Sequence, residues 1–333
     1  MRILTVATSC TQLPAIYKFM IFGILALILI ATLHTGPVDF REHWDKFRNP
    51  TKDKDEDVGI GGGMPIRLMY IGASMTLGEH STGERGYREQ VRNWLVEQGN
   101  EVNCVGQNRY GDFLDNDVQA FGAQPIRPTL DRCKEIVPQT QPNLILINAG
   151  SSDCFQPEHH GSGLIHQKMR ALIDYLFEAS PRATIIMSTI IPSPWEGVEA
   201  CVKSANAQIR QVAYDVIREG KPVTLVEMHY DQGLPNRVEL EHIGKDNMHP
   251  INEGYFLMGD LFIEAIQEVN LKGFLQPAVI NGIANDGEAE RHAEEQKEKE
   301  KAAEKKPEDE KAEEKTSEEK TSEDKPARRR RHS

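Results

Sequence analysis

From Pro65 onward, short apolar runs alternate with stretches in which apolar residues recur every three or four positions. Residues 66–71 read as a short strand, and residues 87–98 as a helix with Val91, Trp94 and Leu95 on one face and Gly99 as its stop. Residues 101–105 predict a second strand. Residues 143–148 form a near-continuous apolar run, as expected at the buried centre of a parallel sheet. In residues 163–179, Ile165, Met169, Leu172, Ile173 and Leu176 follow helical spacing, with Pro181 just beyond. A strand over 184–190, a helix over 199–219, a strand over 223–228 and a closing helix over 252–269 complete the alternation. Strands and helices alternating through short connections predict a three-layer α/β/α sandwich with a central, mostly parallel sheet. In such sheets the ligand crevice lies outside the carboxyl ends of the strands. Ser74, Gly150 and the Asp246–His249 segment fall just after predicted strands or in late loops, so they can converge there.

The flanks change the picture. Residues 19–33 are continuously apolar apart from Gly23 and Thr32. Counted from Leu13, with Lys18 snorkelling, the run reaches the roughly 20 residues needed to cross a bilayer. Arg2 and Lys18 precede it without an acid, so residues 1–12 are expected in the cytosol and everything after the span in the lumen or outside. An uncleaved signal-anchor over 13–33, giving a single-pass type II membrane protein of the secretory pathway, is favoured over a cleaved signal peptide and secretion. Residues 34–64 read as a linker, with a charge run over 52–57 and a glycine cluster at 59–63. Those glycines precede the first strand, which is the wrong context for a phosphate loop. The folded domain is expected over 65–270 and a mostly disordered, Glu/Lys-rich tail over 271–333. From Ala284 onward the chain has no Val, Leu, Ile, Met, Phe, Tyr or Trp, so it cannot build a core. The tail ends in Arg328 to Arg331, which fits a solvated end better than a nuclear signal or phosphate-binding patch.

The 333-residue chain carries a formal net charge of −12, which argues against nucleic acid as a partner. Cys104, Cys133, Cys154 and Cys201 follow the span, an even number for an oxidising compartment. Three pairings are open, and Cys154–Cys201 is preferred. Asn49-Pro50-Thr51 has proline in the middle and is no glycosylation sequon.

Ser74 follows the first strand in a Gly-x-Ser turn, and His249 follows Asp246 by three residues. A serine hydroxyl is a weak nucleophile until a base takes its proton. His249 can serve as that base, and Asp246 can hold one ring nitrogen and set the tautomer. Alone, the Gly-x-Ser fits a strand-end turn, and an Asp-x-x-His fits a helix cap with a structural histidine. Together in an alternating α/β chain they favour acyl transfer.

Over roughly residues 65–270 the chain resembles the SGNH hydrolase (GDSL-type esterase) superfamily, near the fungal branch that includes acetyl xylan esterases of carbohydrate esterase family 3. Ile71-Gly72-Ala73-Ser74-Met75-Thr76 stands where that family has its nucleophile block, and Gly86-Tyr87-Arg88 follows at that branch's distance. Asp246-Asn247-Met248-His249-Pro250-Ile251-Asn252-Glu253-Gly254-Tyr255 is close to the last block. The resemblance implies an SGNH/flavodoxin-like fold, Ser74, His249 and Asp246 as catalytic residues, and an oxyanion hole from Ser74, Gly122 and Ser152. It implies an ester substrate, of a carbohydrate or a lysophospholipid, and neither cofactor nor metal. Two positions depart from the pattern. Ala73 replaces the acid before the nucleophile. Ser152 stands where the family carries an asparagine whose amide donates to the oxyanion, a donor worth about 10²–10³ in turnover. That departure motivates a rival reading, a non-catalytic glycan- or lipid-binding module. A third reading places the working part in the charged tail.

Other residues carry weaker signals. His159, His160 and His166 near Cys154 and Glu158 match no tetrahedral zinc spacing and read as a surface loop. His80 and His242 fit either a site entrance or plain exposure. Trp195 fits packing better than sugar stacking.

Overall fold

The computed structural model describes residues 59–156 and 162–300. The span expected over 13–33, its cytosolic flank, most of the linker, the histidine pair 159–160 and the arginine end of the tail lie outside those residues. Among the described residues no helix is long and apolar enough to cross a membrane.

The first strand, β1 (Ile66–Gly72), is buried along its whole length. It leads into a single-turn helix, α1 (Ser74–Leu77), and then α2 (Arg88–Glu97). Next come β2 (Val102–Cys104), β3 (Asn108–Arg109) and β4 (Asp117–Ala120). The chain continues through α3 (Ile126–Thr140), β5 (Leu144–Asn148), the short α4 (Ser151–Phe155) and α5 (Ile165–Ala179). It ends its alternation with β6 (Thr184–Ser188), α6 (Glu196–Arg218), β7 (Val223–Val226) and α7 (Asn252–Leu271).

The strand order is β3-β4-β1-β5-β6-β7. β1 divides one edge between two parallel neighbours, β2 beside Ile66 to Leu68 and β4 beside Ile71 and Gly72. β5, β6 and β7 follow in parallel on the other side, and β3 with β4 is the antiparallel pair at the margin. Alternation sends Ile66, Leu68 and Tyr70 into the layer of α2 and α7, and Met69 and Ile71 into the layer of α3, α5 and α6. Each such side chain, fully buried, stabilises by about 1.5–3 kcal/mol. The expected three-layer sandwich with a mostly parallel sheet is therefore present. One disulfide, Cys154–Cys201, ties α4 to α6, while Cys104 and Cys133 are free and buried.

Defined structure extends past both ends of the 65–270 interval. Ile60 is buried; its N–H donates to Asn100 Oδ1 at 3.1 Å, and the Gly61 N–H to Asn270 Oδ1 at 2.8 Å. After α7 the chain runs across the amino ends of the strands. Thr184 Oγ1 donates to the Phe274 carbonyl at 2.9 Å, Asn143 Nδ2 to that of Gln276 at 2.9 Å, and Asn103 Nδ2 to that of Ala284 at 2.7 Å. A last helix, α8 (287–300), is capped by Asp286 Oδ1, which accepts the N–H of Glu288 and Ala289. It docks without an apolar stripe: Arg291 pairs with Asp117 of β4, Glu288 with Arg92 at 2.8 Å and Glu294 with Arg109 at 3.1 Å. The low-complexity composition of the tail hides these ion pairs, whose partners lie on distant elements.

Candidate active site

Gly72 ends β1 because nothing larger fits. A β-carbon there would collide with Thr76 Oγ1 and the Asn148 carbonyl. This close approach lets Thr76 Oγ1 donate to the Asn148 carbonyl at 3.2 Å, while Tyr87 Oη donates to Thr76 Oγ1 at 3.0 Å. Arg88, fully buried, donates to the carbonyls of Leu77 at 2.9 Å and Tyr110 at 2.6 Å. Tyr87 and Arg88 thus hold the turn that presents Ser74.

The Asp246–His249 segment is a tight turn. Gly244 N–H donates to the His249 carbonyl at 2.8 Å, Asn247 takes a positive φ of 57°, and Ile243 bridges to Pro250. Asp246 Oδ1 accepts the N–H of Met248 and of His249, both at 3.1 Å, and Oδ2 lies 2.5 Å from His249 Nδ1. On the far side of the ring, Nε2 lies 2.8 Å from Ser74 Oγ. Ser74 and His249 are buried, whereas the Asp246 side chain keeps 29% of its surface exposed. Partial burial pushes the Asp246 carboxyl up, but the hydrogen bonds from the His249 ring and the two backbone N–H groups outweigh it and hold the group below the usual carboxylate range. With its proton on Nδ1 toward Asp246, the imidazole presents a bare Nε2 lone pair to the serine hydroxyl.

A cavity of about 110 Å³ opens beside Ser74 and His249. Met75, Phe155 and Met248 give it apolar walls, and Glu79, Ser152 and Gln156 polar ones. Ser152 reaches it because Gly150, at φ 116°, turns the chain sharply from β5 into α4. The neighbouring Asp153 serves the scaffold: Oδ2 accepts the Ile126 N–H at 3.0 Å and Oδ1 receives Lys168 Nζ at 2.7 Å. Gly122 lies beside Glu79, and a β-carbon on it would stand 3.0 Å from Glu79 Oε1. Its neighbour Ala123, at φ 54°, lines the cavity. The structure therefore brings Ser74, Asp246 and His249 into one hydrogen-bonded line, sets Ser152 on the cavity they share, and leaves Gly122 at its margin.

Two residues here exceed the sequence reading. Glu79 Oε2 lies 3.6 Å from His249 Nε2. His80, read only as exposed or near an entrance, stacks on the His249 ring with centroids 4.8 Å apart. His242 instead closes a turn with Glu239, and His166 pairs with Asp215 at 3.4 Å. Trp195 is 45% exposed and meets Phe155 edge-on at 5.8 Å.

No protein-family model matches the chain, and no curated protein matches it. Solved structures do. The chain is similar to a family 3 carbohydrate esterase of Clostridium thermocellum, at 20% identity and a TM-score of 0.52 over 62% of this chain and 98% of that one. A family 3 carbohydrate esterase from Talaromyces cellulolyticus matches at 19% identity and a TM-score of 0.51, over 61% of this chain and 99% of its own. An acetyl esterase mutant crystallised with an acetate ion matches with the same identity, TM-score and coverage. The described domain thus shares the fold of family 3 carbohydrate esterases, in keeping with the SGNH resemblance read from its motifs.

Proposed function

We propose that the domain is a serine ester hydrolase that cleaves carboxylic esters of small acyl groups, with a carbohydrate acetyl ester preferred to a lysophospholipid as substrate. One observation carries this reading: His249 Nε2 lies 2.8 Å from Ser74 Oγ while Nδ1 lies 2.5 Å from Asp246. Ser74 Oγ attacks the ester carbonyl as its proton passes to Nε2. The resulting imidazolium is stabilised by Asp246, and it returns the proton to the leaving alcohol as the tetrahedral intermediate collapses to acyl-Ser74. Water, deprotonated by His249, then releases the acid and restores the serine. The backbone N–H groups of Ser74 and Gly122 and the Ser152 hydroxyl are the proposed oxyanion donors. A cavity near 110 Å³ is well below the roughly 300–1,000 Å³ of sites for larger ligands, which favours acetyl over a long acyl chain. The carbohydrate esterases that share the fold point the same way.

We further propose that residues 13–33 anchor the chain as a type II membrane protein with this domain in the lumen or outside. The Cys154–Cys201 disulfide supports an oxidising compartment. A second reading, a binding module for glycan or lipid head groups, rests on Ser152, which supplies a hydroxyl where an amide donor would act more strongly.

A fluorophosphonate probe and a panel of acetyl, longer acyl and lysophospholipid esters, tried on wild type and Ser74→Ala in parallel, test these readings. Labelling at Ser74 and turnover confined to wild type and to short acyl esters are expected. Folded wild-type protein that neither labels nor turns over would favour the binding module instead.

A further inference from the structure

We propose that Glu79 selects the alcohol half of the ester, a role that rests on the ester-hydrolase reading. Its carboxylate accepts a hydrogen bond from a hydroxyl on the carbon next to the scissile oxygen, and it turns away alcohols that carry a phosphate. Glu79 lines the cavity beside Ser74 and His249, and its Oε2 lies 3.6 Å from His249 Nε2. Its backbone is fixed at both ends. The N–H donates to the Ser74 carbonyl at 3.2 Å, and the carbonyl accepts from Tyr255 Oη at 2.7 Å. The carboxylate is thus held against the nucleophile turn, with 27% of its side-chain surface open to solvent.

The proton relay does not use this group. At 3.6 Å the carboxylate is too far from Nε2 for a hydrogen bond. Nε2 is engaged by Ser74 Oγ at 2.8 Å, while Asp246 holds Nδ1. Among the described residues, His249 is the only ion-pair partner of Glu79, and no donor hydrogen-bonds to its carboxylate. Gly122 leaves room on the other side, where a β-carbon would stand 3.0 Å from Oε1. An ionised carboxylate has about four lone-pair sites, so these oxygens are free to accept a donor brought by the substrate.

The position decides which part of the substrate it meets. When acyl-Ser74 forms, the bond from carbonyl carbon to alcohol oxygen breaks, and that oxygen takes the proton from Nε2. It must come within about 2.6–3.2 Å of Nε2, so it arrives beside Glu79. The hydroxyl on the adjoining carbon is then the substrate donor nearest to Oε2. A sugar or other polyol ester offers such a hydroxyl, and a simple alkyl ester offers none. The negative charge strengthens this bond roughly twofold over a neutral acceptor. A phosphate on the same alcohol meets a like charge in a partly desolvated site and is disfavoured. Glu79 therefore separates neutral polyol esters from glycerophosphate esters, which the Ser74 chemistry alone treats alike.

The test uses the full-length chain and a matched series of acetyl esters: ethyl acetate, glycerol monoacetate, and the same glycerol ester phosphorylated on its far primary hydroxyl. The kcat/KM ratio of glycerol monoacetate to ethyl acetate is expected to fall by about tenfold or more in Glu79→Ala, the worth of a hydrogen bond to a charged group. The ratio of the phosphorylated ester to glycerol monoacetate is expected to rise several-fold in both Glu79→Ala and Glu79→Gln, the glutamine keeping the size of the side chain without its charge. Ratios taken within one protein cancel any general loss from a disturbed turn, and circular dichroism checks the fold. An unchanged first ratio overturns the hydroxyl contact, and an unchanged second ratio overturns the exclusion of phosphate. If wild type hydrolyses none of the series, the ester-hydrolase reading is what fails. NMR titration of Ser74→Ala with glycerol monoacetate then decides the contact: weaker binding when Glu79→Ala is added upholds it, and equal binding or none overturns it.

Discussion

Asp246 grips His249 twice: one carboxylate oxygen accepts the backbone N–H of His249 at 3.1 Å and the other stands 2.5 Å from its ring Nδ1. Backbone and ring are fixed by one side chain. In Asp246→Asn an amide oxygen can keep the backbone contact, but an NH₂ then faces Nδ1. The imidazole takes the tautomer with its proton on Nε2, where it cannot accept from Ser74. Turnover on a small acetyl ester is expected to fall by about 10³–10⁴, with the circular dichroism spectrum of the folded protein unchanged. A rate near that of wild type would remove Asp246 as the orienting group.

The same contact sets a pH dependence of stability. The Asp246 carboxyl is held below its ordinary value in the folded protein, against the opposing effect of burial. A carboxylate depressed in this way contributes stability above its unfolded pKa of about 3.9 and loses it as pH falls through the lower folded value. The difference in unfolding free energy between wild type and Asp246→Asn is therefore expected to be flat above about pH 5 and to shrink below about pH 3. Urea titrations across that interval measure it. A difference that does not change would show that these hydrogen bonds do not favour the ionised group.

Ser152 lies on the cavity wall with Ser74. Developing charge on a carbonyl oxygen needs donors already in place, and a good one is worth roughly 2.7–4 kcal/mol. Ser152→Asn, in the turn set by Gly150, is expected to raise turnover on a small acetyl ester several-fold with little change in KM. An unchanged rate would mean that the serine hydroxyl already meets the need.

Arg291 of α8 pairs with Asp117 of β4, both side chains largely buried. Arg291→Gln leaves Asp117 with Arg109, 3.5 Å away, as its remaining cation. The loss is expected to be about 1–3 kcal/mol, below the figure for a fully buried pair because Arg109 remains. Thermal unfolding of the full chain measures it, and ending the chain at residue 283 should lower the melting temperature further. A truncated protein as stable as wild type would make α8 a passive neighbour.

β5 and α5 are legible in the sequence because burial writes itself into periodicity: an unbroken apolar run for one, Ile165 to Leu176 at helical spacing for the other. The Asp246–His249 turn is legible because its chemistry is local, three residues apart. α3 escapes notice, although Ile126, Thr129, Cys133 and Val137 are buried at helical spacing, because Pro128 and Pro138 read as breaks. Pro128 falls in the first turn, where no N–H is needed. β3 and β4 are short and polar, so no run marks them. Glu79 carries no signal in the sequence, and His80 fits a site entrance no better than plain exposure. Their places beside the His249 ring depend on the fold bringing the first and last loops together.

The Cys154–Cys201 bond joins residues 47 apart and pins the helix whose Ser152 and Phe155 wall the cavity. A crosslink of this kind is typically worth about 2–4 kcal/mol, acting mainly on the unfolded chain. How the protein is prepared therefore becomes an experimental variable. Material made in a reducing cytosol, or stored with thiol, lacks the crosslink beside this cavity. An inactive sample of that kind reports on its redox history, and only oxidised protein gives a fair measure of what Ser74 can do.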